Sequence, residues 1–285
     1  MSDLPFRWNL ARREQLGSLV AGEPAALGSI VGDIRECCAR VVAQAGDSRL
    51  VFVGRSPESL YDYLAGALAE TSWEERCTHL NLSMRFETAE EVAGHNPEGL
   101  RAIYRQFRTL HLSPAEIAAS ERPVALVDLL LEGLTFGNVV GLLTGWAARE
   151  GVDPAAVRRR MRIVGITVRQ KNSPNTWRWY QRVPWVEPFP RSALRGVSIS
   201  GELWHYLGDW QDKVARWNGP RVWGTDEVFT PPRDPEKLQA LRFAVALHEA
   251  ARGREERERF AAELAARPEM KHAWLRRLVL ELRRG

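Results

Sequence analysis

The chain has 285 residues, enough for one large domain or a domain with an appendage, and its 45% hydrophobic and 27% charged content is ordinary for a soluble globular protein. Lysine plus arginine exceed aspartate plus glutamate by 40 − 36 = 4, but the arginines are scattered rather than gathered into a stripe, which argues against a nucleic-acid surface. Arg7, Arg12, Arg13 and Glu14 interrupt the first twenty residues and no apolar run reaches membrane-spanning length, so a soluble cytoplasmic protein with no membrane partner is expected.

Residues 1–28 mix Trp8 and Leu10 with Gly17, Gly22 and Pro24 and read as an irregular lead-in. Ile30, Ile34, Cys37, Cys38, Val41 and Val42 then recur at helical spacing over 29–45. Leu50-Val51-Phe52-Val53 is a short apolar run of the buried parallel-strand kind, ending at Gly54. Ser56 as N-cap with Pro57 at the first helical position predicts a helix carrying Leu60, Tyr61, Leu64 and Leu68. Leu80–Met84 reads as a second strand, and 87–121 as helical with breaks at His95-Asn96-Pro97 and Ser113-Pro114. A third strand, Val124–Val127, ends at Asp128, a helix follows over Gly137–Arg149, and Arg162–Val168 is a fourth strand. The alternation predicts an α/β protein with a parallel sheet and helices on both faces. Residues 171–231 are dense in Trp, Pro and Asn and read as irregular structure wrapping the sheet's end, and from Pro232 three charged helices finish the chain.

In such a sheet, ligands sit where strands pass at their carboxyl ends into helix N-termini. Two crossings qualify, Gly54-Arg55-Ser56-Pro57 and Asp128 through Gly137. The second, Asp128-Leu129-Leu130-Leu131-Glu132-Gly133-Leu134-Thr135-Phe136-Gly137, resembles the phosphoribosyl pyrophosphate motif of the type I phosphoribosyltransferases. The first looks like that family's pyrophosphate-binding strand and loop, and 87–121 stand where the family has its hood, so the resemblance covers roughly 50–170.

The resemblance implies a phosphoribosyltransferase-like fold over 1–230, with 231–285 as a C-terminal helical appendage. It implies that Asp128 is the catalytic and metal-binding carboxylate, and that Glu132, Gly133, Leu134, Thr135, Phe136 and Gly137 form the 5′-phosphate loop, an anion site of backbone amides at a helix start. Gly54, Arg55 and Ser56, with Arg85 just past the second strand, would receive pyrophosphate. Lys171, Asn172, Trp177 and Tyr180 would meet the acceptor, and Mg2+ would be the cofactor. Val127 stands where the family has its first acid, and Glu132 adds a negative charge to the loop.

The function expected is binding of a phosphorylated pentose or nucleotide with glycosyl transfer and release of pyrophosphate. The alternative is a non-catalytic nucleotide or sugar-phosphate sensor whose C-terminal helices contact a partner protein, with self-association also open. A third reading, RNA or DNA association through the arginines of 158–160 and 276–284, is met more simply by solvated helix faces. The three cysteines, Cys37, Cys38 and Cys77, lack metal-ligand spacing and read as buried small side chains. The six histidines show no shared metal spacing; His248-Glu249 lacks a second histidine, and Ser56 lacks the second glycine of a hydrolase elbow.

Overall fold

The computed structural model describes residues 3–21, 25–169 and 178–284. Five strands, β1 (Arg49–Val53), β2 (Cys77–Leu80), β3 (Val124–Leu129), β4 (Met161–Val168) and β5 (Leu194–Ile199), form one sheet in the order β2-β1-β3-β4-β5. Every pairing is parallel. Around it run α1 (Ile30–Ala45), α2 (Glu58–Ala67), α3 (Ala89–His95), α4 (Pro97–Thr109), α5 (Pro114–Ala119), α6 (Leu134–Arg149), α7 (Pro154–Arg159), α8 (Gly201–His205), α9 (Asp226–Phe229), α10 (Pro235–Arg252), α11 (Arg254–Ala265) and α12 (Ala273–Arg284).

Alternation along the strands divides the core in two. Leu50, Phe52, Ala125, Val127, Val164, Ile166, Val197 and Ile199 face α1, α2 and α8, and the C-terminal helices join that side through Leu247, Phe260, Leu264, Leu275 and Leu278. Val51, Val53, Leu80, Val124, Leu126, Met161 and Ile163 face the other way, against Val92, Ile103, Phe107, Ile117, Phe136, Val139 and Leu143 of α3 to α6. The breaks expected within 87–121 are helix starts: Thr88 and Ser113 close capping boxes with Glu91 and Glu116, and the Asn96 side chain accepts from the Gly99 amide.

Three expectations are corrected. The second strand lies three residues earlier than its apolar run, at Cys77–Leu80, and pairs in register with Leu50–Val53. As an edge strand it is only half buried, so its sequence carries little apolar signal. The stretch 171–231 is not all irregular, because Leu194–Ile199 adds β5 beside β4. Ser56 does not cap α2; the helix starts at Glu58 with Pro57 before it and no side-chain cap.

Candidate functional site

The strand order reverses between β1 and β3: the chain leaves β1 toward β2 on one side and reaches β3 on the other. That switch point leaves a crevice at the carboxyl ends of the two strands. A cleft of about 320 Å3 occupies it, lined by Ser56 after β1, by the continuous run Asp128–Phe136 after β3, and by Arg85. Trp204, His205, Gly208 and Asp209 close its remaining wall.

Asp128 is the last polar position of β3 and only 7% exposed. Its carboxylate accepts the Leu129 amide at 2.7 Å and makes no ion pair among the described residues. Burial pushes its pKa well above the usual carboxylate range, against the pull of that amide and of the Lys213 charge. Lys213 is itself buried; its ammonium donates to the Leu207 carbonyl at 2.6 Å and to Gln211 Oε1 at 3.0 Å. Desolvation lowers the Lys213 pKa to about 8.

The next turn is set by Gly133, which takes φ 75° and ψ 14° as N-cap of α6, a left-handed conformation that suits glycine. No side chain caps the helix, so the amides of Leu134, Thr135 and Phe136 lack intrahelical acceptors beside the cleft. The Thr135 hydroxyl is likewise uncommitted among the described residues. Glu132 also lines the cleft; its side chain is 64% exposed and stands 3.8 Å from Arg85 Nη2. The Arg85 backbone is pinned from α6, where Asn138 Nδ2 donates to the Met84 carbonyl at 2.9 Å.

The β1 loop turns at Gly54, φ 78°. His79 reaches across from β2, with Nε2 donating to the Gly54 carbonyl at 2.8 Å. Burial, with the Arg7 charge, lowers the His79 pKa to about 4, so the ring is neutral and its Nδ1 faces Arg7 Nη1 at 3.4 Å as acceptor. Behind the loop, Arg7 bridges two buried carboxylates of α2, Glu58 and Asp62. Glu58 also accepts the amides of Val214 and Ala215, each at 3.0 Å, which fixes the segment carrying Lys213.

The residues expected from sequence are thus partly brought together. Asp128, Glu132, Gly133, Leu134, Thr135, Phe136, Ser56 and Arg85 share one cleft. Gly54, Arg55, Gly137 and Tyr180 do not line it. Gly137 instead gives Trp185 room against α6, and Tyr180 packs edge-on against Trp179 at 5.5 Å. Arg55 is half buried, with its pKa lowered by desolvation against the pull of Glu58. Lys171, Asn172 and Trp177 lie outside the described residues. Val127, at the position of the resembled family's first acid, is fully buried in register with Phe52 and Val164.

Sequence reasoning missed Trp204, His205, Gly208, Asp209 and Lys213. After α8 the chain makes a π-helical turn, Tyr206–Trp210, closed by the Gln211 amide on the Tyr206 carbonyl at 2.9 Å. No apolar period announces such a turn. Among the described residues no group of three or more His, Cys, Asp and Glu is placed to hold a metal ion, and no helix is long and apolar enough to cross a membrane.

Fold and cleft together define an α/β protein with an all-parallel five-stranded sheet, compatible with a Rossmann-like fold, and a switch-point cavity floored by the buried Asp128 carboxylate and flanked by open helix amides. No protein-family model, curated protein or solved structure matches the chain in the comparisons made.

Proposed function

We propose that the cleft binds a phosphorylated pentose or nucleotide, and that the chain is a divergent phosphoribosyltransferase-like protein that transfers the pentose with release of pyrophosphate. The observation that carries the reading is the juxtaposition, in one cleft, of uncapped α6 amides and an unpaired, buried Asp128. The amides of Leu134, Thr135 and Phe136 would hold the 5′-phosphate, with the Thr135 hydroxyl as a further donor. The cleft volume suits a sugar phosphate.

Asp128 would accept a ribose hydroxyl. Protein sites for Mg2+ commonly supply one or two carboxylates and leave the rest of the shell to phosphates and water, and a single buried carboxylate in the cleft fits an ion that arrives with the diphosphate. Such an ion would neutralise charge on the leaving pyrophosphate. As the C1–oxygen bond breaks, positive charge grows at C1 and negative charge on the leaving group, so the chain's task is to position the sugar and stabilise charge, with Arg85 and Ser56 on the pyrophosphate side.

A second reading, a non-catalytic sensor of the same ligands, draws on Val127. Its position is sealed in the core, which leaves the cleft with one strand-end acid where the resembled family has two. Calorimetry with phosphoribosyl pyrophosphate and Mg2+ tests both readings: heat from the wild type that is lost in Asp128→Ala supports the site, and no heat from the wild type removes it. Pyrophosphate released in the presence of candidate acceptors favours the enzyme; tight binding without release favours the sensor.

A further inference from the structure

The wall of the cleft that faces the phosphate loop is built by a π-helical turn, and its geometry is specific. A π-helix closes i→i+5 hydrogen bonds, so residues four and five positions ahead both fall near the same face. His205 uses both neighbours. Its Nδ1 contacts Asp209 Oδ2 at 2.8 Å, and its ring stacks on Trp210 with centroids 5.5 Å apart and planes 21° apart. Trp204, edge-on to His205 at 5.2 Å, is tied to the sheet by its indole N–H, which donates to the Ile166 carbonyl at 3.3 Å. Gly208, between His205 and Asp209 in sequence, has Leu129 and Trp204 nearest the position a Cβ would take, and it also lines the cleft.

Two features stand out at and behind this wall. Trp210, which backs the His205 ring without lining the cleft itself, is 65% exposed, although a large indole is ordinarily drawn into the core. His205 has its Nδ1 occupied by Asp209, so its tautomer and orientation are fixed, while its Nε2 has no hydrogen bond among the described residues. The opposite rim carries two further exposed apolar side chains, Leu131 and Leu134.

We propose that this wall is the subsite for a planar nitrogen heterocycle, seated against the His205 ring that Trp210 backs, with His205 Nε2 as its hydrogen-bonding partner. Rings of this class stack on aromatic side chains irrespective of detailed sequence or substituent, and one oriented polar group adds selectivity. The heterocycle is either the free acceptor or the base of a bound nucleotide; both present the same flat face and ring nitrogens. The assignment deepens the sugar-phosphate reading, on which it rests, and moves the acceptor contacts from 171–180 to 204–210.

Calorimetry separates the parts. Ribose 5-phosphate, AMP, UMP and adenine are titrated, each with Mg2+, into the wild type, His205→Ala and Trp210→Ala, with Trp217→Ala as a control at an exposed tryptophan outside the cleft. The expected result is that AMP binds about tenfold tighter than ribose 5-phosphate, the scale of one ring stacked on an aromatic side chain, and that this preference falls to near unity in His205→Ala and Trp210→Ala but survives in the control. Adenine binding alone identifies a free acceptor, and AMP binding without adenine identifies a nucleotide; either supports the subsite. Equal affinity of the wild type for AMP and ribose 5-phosphate overturns it and leaves the sugar-phosphate reading standing. So does a preference for AMP that neither variant alters. Failure of ribose 5-phosphate and of both nucleotides to bind overturns both.

Discussion

Gly137 and Trp185 touch in a way no other residue at 137 would permit: a Cβ on Gly137 would stand 2.8 Å from Trp185 Cδ1 and 3.0 Å from its Nε1. The indole therefore lies directly on the first turn of α6, next to the amides proposed to hold phosphate. Trp185 is also tilted against Phe136 and Trp179, so it has little freedom to retreat. Gly137→Ala should destabilise the fold by about 1–3 kcal/mol, the usual cost of overpacking. It should also lower affinity for ribose 5-phosphate by displacing the loop. Chemical denaturation and calorimetry on the same variant read the two effects, and unchanged stability would mean that the indole yields without strain.

Removing Glu132 should have the opposite effect on binding. Its pairing with Arg85 is long and exposed at both ends, so Glu132→Gln should change stability by no more than about 0.5 kcal/mol. It removes a negative charge beside the anion and releases Arg85, so affinity for phosphate should rise severalfold at low salt. Raising the ionic strength should erase most of the gain. A loss of affinity would show that Glu132 itself contacts the ligand.

Asp128 should couple stability to pH. Its folded pKa lies above the unfolded value, so the folded state holds a proton that the unfolded chain releases first. The stabilising contribution is complete below the unfolded pKa, near 4, and is lost as pH rises through the folded one. Asp128→Asn removes this loss; it should raise the melting temperature at neutral pH relative to the wild type and flatten the profile above pH 4, while weakening binding of phosphoribosyl pyrophosphate. An unchanged profile would place the carboxylate in better solvation than its burial implies.

Arg7 supplies a second pH-dependent element. Burial is the largest influence on Asp62 and, joined by the neighbouring Glu58 charge, raises its pKa to about 7 although Arg7 pulls it down. One guanidinium shared between two carboxylates neutralises only one of them. Arg7→Ala should cost about 3–5 kcal/mol at pH 8, where both acids are largely ionised in the wild type and the variant must leave them unpaired or take up a proton. The cost should shrink toward pH 5, where Asp62 carries a proton. Denaturant midpoints of wild type and variant at the two pH values test the sign: an equal loss at both would show that Asp62 is ionised throughout.

The central strands were readable because they are buried on both faces, as in Leu50–Val53 and Val124–Val127, and must be apolar without interruption. The edges were not. Cys77-Thr78-His79 is half buried, and Leu194–Ile199 contains Arg195, Gly196 and Ser198 because only one edge and parts of its faces are covered. The turn from β3 into α6 was legible for a local reason: a glycine before a helix and an acid at a strand end are both marks of short-range geometry. The opposite wall was illegible because, although His205 and Asp209 stand at ordinary helical spacing, Trp210 joins His205 only through a π-turn five residues long, which matches neither the helical nor the extended period.

Because all five strands run the same way, every loop of the cleft gathers at one end of the sheet, and the turns entering the strands gather at the other. The exposed Glu121-Arg122 turn, which leads into β3, belongs to that far end. A fluorophore or surface tether fixed at Arg122 would therefore leave the cavity mouth open to solution, so ligand binding can be followed on immobilised protein without the attachment itself competing for the site.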